Sequence, residues 1–310
     1  MSTNEVKIME HKCNIPIGFF IFNRLDTAIE VFECIRKAKP EKLYLISDGP
    51  RIDRINEDEK VQEVRDYIER NIDWPCEVKK NYAEQNLGCR MRMASGITWL
   101  FENEEMAIVL EDNVKPTECF FEYMEEMLLK YKDDERIMLV SGFKIIGDYP
   151  IDESCTFSRH PMIWGWGTWR RAWNLYNIDI PDWKKLKRNG CLKKYFNFFG
   201  YIKASRDFDS VYYHKKDTWD FQWCYTVLKN DGLAIIPKFN LIENLGFGRA
   251  DATHTTGNTN QDFTTHTIER PYIYPSKIEE NVGYDEAYLK YGWGIKAIFR
   301  KVMNKLVGNK

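Results

Sequence analysis

The chain has 310 residues, 44% hydrophobic and 30% charged, with a formal net charge of −2. That is one large domain or two small ones with an ample core, and no global field that would recruit nucleic acid. No apolar run approaches the roughly 18 residues that cross a bilayer, and the stretch from Met1 to Lys12 lacks the apolar centre of a secretory signal.

Eight cysteines without a Cys-x-x-Cys pair argue against a zinc knuckle or a disulfide framework and fit a reducing cytoplasm. Aromatic residues make up 15% of the chain, with ten Trp. Rings in a polar cleft suit sugars, whose C–H faces stack on aromatic faces, and rings also simply fill cores.

Elements are expected in this order. Residues 15–22 read as a strand, followed by Asn23-Arg24 and a helix over 27–39. A second strand over 42–47 closes on Asp48-Gly49-Pro50, a strong turn signal. Residues 57–71 are helical, with Val61, Val64 and Ile68 on one face. A third strand over 76–82, a turn at 86–88, a helix over 90–102 and a fourth strand over 107–110 come next. A helix over 120–131 and a fifth strand over 137–141 complete the alternation, which implies a mostly parallel sheet with helices on both faces. After about residue 150 the rhythm breaks. An aromatic, Gly-rich loop at 164–169 is followed by a basic, Phe-rich helical segment over about 182–216, a helix over 219–230, a strand over 233–237 and a polar loop over 246–266. We therefore divide the chain into a ligand-platform half, 1–150, an acceptor-facing half of the same globule, 151–287, and a basic amphipathic tail, 288–310.

Six places carry candidate chemistry. Ala107-Ile108-Val109-Leu110 runs straight into Glu111-Asp112-Asn113, so two acids and an amide emerge at the carboxyl edge of a sheet, where open α/β folds bind ligands. They either hold a hard cation that holds a diphosphate, or are solvated strand-end acids. Asp48 and Asn23-Arg24 lie on the same edge; Asp48 either accepts from a nucleobase or ribose, or caps Gly49. Gln85-Asn86-Leu87-Gly88-Cys89-Arg90 enters a helix, where Asn86, Gly88 and Arg90 form a phosphate site or an ordinary loop.

Asp220 opens a helix between Trp219 and Trp223, as a general base walled by apolar rings or as a dipole partner of that helix. His254, in a Gly- and Thr-rich loop, either ligates a metal or donates to a phosphate, or sits at a loop tip. The tail from Tyr288 to Lys310 carries six Lys/Arg and no acid, with Ile295, Ile298, Phe299, Val302 and Leu306 on one helical face. It either lies on anionic lipid or docks on the globule.

Strand-Asn-Arg, strand-Asp-Gly, Gln-Asn-Leu-Gly, apolar-Glu-Asp and Trp-Asp stand here in one order. Over about residues 15–260, that order resembles the GT-A glycosyltransferases, specifically those like N-acetylglucosaminyltransferase I and its bacterial relatives. The resemblance implies a GT-A-like nucleotide-diphospho-sugar transferase fold and an inverting transfer, from a UDP-linked donor, to a hydroxyl of a glycan or lipid-linked acceptor in bacterial surface polysaccharide synthesis. It implies donor contacts at Asn23, Arg24, Asp48, Asn86, Gly88, Arg90, Glu111 and Asp112, a base at Asp220, and an acceptor border at Trp164, Gly165, Trp166 and Trp219. It also implies a divalent cation, Mn²⁺ or Mg²⁺. The family's third acid, its direct ligand, is Asn113 here, and an uncharged amide binds such a cation more weakly; His254 is the other candidate ligand. A sugar nucleotidyltransferase and a non-catalytic carbohydrate-binding protein are the alternatives. The first usually has a Gly-rich basic loop right after strand one, which Phe22-Asn23-Arg24-Leu25 is not. The expected location is the cytoplasm, with the inner face of the cell membrane as the contact surface for the tail.

Overall fold

The computed structural model describes residues 12–249 and 263–293. His254 and residues 294–310 of the tail lie outside the described residues. Four strands, β1 (Ile17–Ile21), β2 (Lys42–Ser47), β3 (Glu77–Tyr82) and β4 (Met106–Glu111), run parallel in the order β3-β2-β1-β4. The sheet continues with β8 (Trp166–Trp169), β6 (Ile137–Ser141), β9 (Leu233–Pro237) and β7 (Cys155–Ser158). β8 is antiparallel to both β4 and β6, β6 and β9 are parallel, and β7 runs antiparallel to β9. A separate two-stranded ribbon pairs β5 (Val114–Pro116) with β10 (Ile242–Asn244).

The helices are α1 (Leu25–Ala38), α2 (Glu57–Arg70), α3 (Gly88–Asn103), α4 (Phe120–Lys130), α5 (Arg170–Trp173), α6 (Trp183–Asn189), α7 (Phe198–Tyr212), α8 (Asp220–Lys229) and α9 (Val282–Trp293). In α1, Ala28, Val31, Phe32 and Ile35 are buried at the spacing of one helical face. Asp26 sits in its first turn and Arg36 and Lys37 in its last, each suited to the helix dipole there.

Two glycines show where the helices lie. Gly96 of α3 sits against Phe20 and Ile46, while Gly167 of β8 sits against Met124 and Leu128 of α4. Gly167 pairs laterally with Ile108, and Ile108 with Ile17, so α4 covers the face that Ile17 points to. Phe20 points to the opposite face, because side chains alternate along a strand. The sheet is therefore covered on both sides, and the expected class, α/β with a mostly parallel central sheet, is the observed one.

The second half departs from expectation. Trp166–Trp169 is not part of a loop but a strand in the middle of the sheet, with every residue buried. Its four residues are too short and too rich in glycine and tryptophan to carry a strand signal; the neighbouring strands supply it. Trp166 stacks on Trp219 at 5.6 Å between ring centres, and Trp223 meets Trp173 at 5.2 Å. All four rings are buried. Trp166 and Trp219 thus fill the core and do not border an acceptor. A smaller core gathers Trp183, Phe208, Val211 and Tyr225 from α6, α7 and α8.

At the end of the described chain, α9 runs through residue 288, and Tyr288 stacks on the buried His160 at 4.3 Å. The segment drawn from the sequence as tail thus begins inside a docked helix.

Truncating a buried Trp costs about 3–5 kcal/mol. Trp166→Ala is expected to lose that much in denaturant unfolding; a loss below about 1 kcal/mol contradicts the core assignment.

Candidate active site

A cavity of ≈ 580 Å³ opens at the carboxyl ends of β1, β2 and β4. Phe20, Ile21 and Phe22 line it from β1, Ile46 and Asp48 from β2, and Glu111 through Val114 from β4. The start of α3 contributes Gly88, Cys89, Arg92 and Met93; Trp164, Asn244 and the 215–217 turn close it from the second half.

Asp48 organises one wall. It is buried and accepts from the N–H groups of Gly49 (2.9 Å), Leu87 (2.9 Å) and Gly88 (3.2 Å) and from Asn86 Nδ2 (3.1 Å). Burial raises its pKa, while the backbone N–H bonds oppose the shift. Four donors use the four acceptor positions of a carboxylate. No lone pair is left for the nucleobase or ribose contact expected of Asp48, while Asn86, which lines the cavity, gives its amide N–H groups to Asp48 and to the Gly49 carbonyl.

The next N–H groups of α3, on Cys89 (3.0 Å) and Arg90 (2.8 Å), donate to the carboxylate of Asp217, 127 residues further along the chain from Arg90. Gly88 has φ +76°, and a Cβ there would stand 2.8 Å from an Asp217 oxygen. The helix start read as a phosphate site is therefore filled by two of the protein's own acids. The Arg90 side chain turns away to Asp179 (2.6 Å) and the Ile178 carbonyl (3.2 Å). Arg92, held by Asn81, lines the cavity together with Arg24 and Arg51.

The acids after β4 divide the work. Asp112, 3% exposed, accepts from Arg24 Nη2 (2.5 Å) and from the Phe22 N–H (3.3 Å). Arg24 and Asp112 thus satisfy each other and tie the ends of β1 and β4 together. Asn23 donates to Glu57 (2.8 Å), itself paired with Arg51, and does not line the cavity. Glu111 lines the cavity, and no hydrogen bond reaches its carboxyl among the described residues. Burial first, then repulsion from Asp112 and Asp220, pushes its pKa up to about 7, against the pull of Arg24.

Asp220 is the first residue of α8 and accepts from the Thr218 hydroxyl. It is not on the cavity lining, yet its charge bears on both Glu111 and Cys89, which are. Asn113 lines the cavity with its amide nitrogen on Asn244 Oδ1 (3.1 Å). Of the expected acceptor border, only Trp164 lines the cavity, packed on Phe143 (4.5 Å) and Phe247 (5.5 Å). Gly165, at φ +58°, carries its carbonyl to the Gly142 N–H (2.7 Å) and is a chain support.

The described residues gather no ligand set for the divalent cation, and His254, the other candidate ligand, lies outside them. Asp112 is spent on Arg24, and among the described residues no three His, Cys, Asp or Glu side chains are placed to hold a metal ion. Sequence reasoning missed the two exposed cations at the mouth, Lys215 and Lys216. The only signal was their place directly before Asp217-Thr218-Trp219-Asp220.

No protein-family model and no curated protein matches this chain. Solved structures resemble it weakly. The mannosyltransferase PcManGT from Pyrobaculum calidifontis, in complex with GDP-Man and Mn²⁺, aligns at 10% identity over 70% of each chain, with a TM-score of 0.36. An apo UDP-glucose pyrophosphorylase aligns at 10% identity over 75% of this chain and 93% of its own, TM-score 0.37. UDP-glucose pyrophosphorylase complexed with UDP-glucose gives 11% identity over 52% and 78%, TM-score 0.33.

Glu111 carries a pH prediction. Its folded pKa lies above the ordinary 4.5, so its charge opposes folding, and the penalty grows from pH 4.5 to about 7 and is complete above that. Glu111→Gln is expected to raise stability at pH 8 by roughly 1–2 kcal/mol, discounted for the open cavity, and by much less at pH 5.5. Equal effects at both pH values contradict the half-buried, unpartnered placement.

Proposed function

We propose that this chain is an inverting glycosyltransferase that takes a sugar from a nucleotide-diphosphate donor, UDP-linked in the first instance, to a hydroxyl of a glycan or glycolipid acceptor of a bacterial surface polysaccharide. The observation that carries the reading is the cavity at the carboxyl ends of β1, β2 and β4, with the unpartnered Glu111 carboxyl on its wall. Ligands of open α/β sheets bind at that edge.

In this reading Glu111 accepts hydroxyls of the donor, and Trp164 offers its ring to a sugar face. The acceptor oxygen forms its bond to the anomeric carbon while the bond to the diphosphate oxygen breaks. The electron pair leaves with the nucleoside diphosphate, and the acceptor's proton passes to Asp220. Inversion follows from one displacement with no protein nucleophile. Lys215 and Lys216, at the cavity mouth, balance the charge of the departing diphosphate. No step is assigned to a metal ion, because the described residues do not gather ligands for one.

The location at the inner face of the cell membrane, with the tail as contact, belongs to the same proposal. Tyr288 is packed into the fold, so the contact is proposed for the part of the tail that follows it. No helix among the described residues is long and apolar enough to cross a membrane.

Asp220→Asn tests the mechanism. A general base contributes about 10²–10⁴-fold, so turnover from UDP-sugars should fall by that factor with donor affinity unchanged. A cap at α8 predicts instead a loss of up to ~1 kcal/mol in stability with turnover nearly intact. Release of pyrophosphate from UTP and a sugar phosphate would establish a nucleotidyltransferase, and sugar binding without turnover a carbohydrate-binding protein.

A further inference from the structure

The net charge of −2 hides a strong asymmetry. Residues 183–216 carry ten Lys/Arg and two Asp, a net +8, so the rest of the chain carries −10. This segment holds α6 and α7, and α7 leaves an apolar stripe uncovered. Phe198 is 74% exposed, Phe199 46%, Ile202 36% and Tyr213 51%, and Arg206 is exposed between them. At 100° per residue these five fall within about one quarter of the helix circumference. Asn197 caps the helix by accepting from the Gly200 N–H (2.8 Å), so the exposed Phe residues sit in an ordered first turn.

The cations flank the stripe. Lys184 of α6 lies over the Tyr212 and Tyr213 rings (5.1 and 5.2 Å), and Lys193 over the Tyr201 ring (5.7 Å). Neither makes an ion pair with an acid in the described structure, and neither do Lys185 and Arg188, all on the exposed surface. An exposed aromatic and aliphatic stripe edged by unpaired cations matches an anionic bilayer surface, with apolar groups at the acyl boundary and Lys/Arg among the headgroups.

The place where the described chain ends points the same way. Asn197 Nδ2 donates to the Leu289 carbonyl of α9 (3.5 Å), one residue before Phe198. The chain beyond 293 therefore follows a helix that meets the N-cap of α7, and residues 294–310 add five Lys/Arg, no acid and a further set of apolar residues.

We propose that the α6–α7 face, through Phe198, Phe199, Ile202 and Tyr213 with Lys184, Lys185, Arg188 and Arg206, docks this protein on an anionic lipid bilayer. The surface is independent of the transferase reading. Its geometric consequence is that Lys215–Asp217, which follow α7, bring the cavity mouth close to the membrane plane.

The test is co-flotation of the full chain with vesicles of phosphatidylcholine alone and of phosphatidylcholine mixed with phosphatidylglycerol. The native chain is expected to float with the mixed vesicles and to be released by high salt. Phe198→Ser/Phe199→Ser/Ile202→Ser should weaken that partitioning at least tenfold with an unchanged melting temperature, and Lys184→Glu/Lys185→Glu/Arg188→Glu should do the same by charge. Equal binding to both vesicle types, full binding by both triple variants (the tail alone sufficing), or no vesicle binding would each overturn the proposal. So would a concentration-dependent dimer that the apolar variant dissolves, since the face would then join two copies of the chain.

Discussion

The carboxylate of Asp48 is the constraint on which the rest of the site depends. It sits at the end of β2 and collects four donors, three of them from the loop that starts α3. Hydrogen bonds to a charged acceptor contribute about 1.5–3 kcal/mol each, and the first N–H groups of a helix have no partner inside it. Asp48 supplies that partner for Leu87 and Gly88, and Asp217 supplies it for Cys89 and Arg90. The two acids come from opposite halves of the chain. Their joint grip on one helix start brings the 213–219 turn over the cavity, and with it Lys215, Lys216 and the start of α8.

A second acid, Asp112, works in the same way on the other wall by binding Arg24 and the Phe22 N–H. With Asp48, Asp112 and Asp217 all consumed by structure, Glu111 is left as the carboxylate that faces the cavity unpartnered, its pKa raised by burial and by the acids around it. A site arranged like this spends three of its acids on shape and, among the described residues, leaves one open to the cavity. Its positive charge is divided between Arg24, Arg51 and Arg92 on the walls and the two lysines at the mouth.

The alternating half of the chain was legible because periodicity and turn chemistry agreed there. The run 107–110 was bounded by polar residues and is β4; Asp48-Gly49-Pro50 closed β2; the apolar spacing of 57–71 gave α2. The candidate site was legible in position but less so in role. Strand-end acids were correctly placed at one edge, yet sequence cannot say whether an acid meets a ligand or a neighbouring N–H, and Asp48, Asp112 and Asn86 meet neighbours.

Arg90 differs for a related reason: it stands two residues before Arg92, about 200° around the helix, and the two side chains point different ways. The aromatic second half was the least legible. Trp-Gly-Thr-Trp is a strand only because β4 and β6 flank it, and the contacts that bury Trp166 and Trp219 join residues more than fifty positions apart. Short strands such as β5 and β10 carry no period at all.

The central claim is that the cavity between the ends of β1, β2 and β4 receives the nucleotide of a donor sugar. A crystal structure of the protein with UDP bound tests it most directly. The account predicts density for the nucleoside diphosphate in that cavity, against Glu111 and Arg92 and with its phosphates toward Lys215 and Lys216. A nucleotide bound anywhere else, or a saturated protein with that cavity empty, would contradict it.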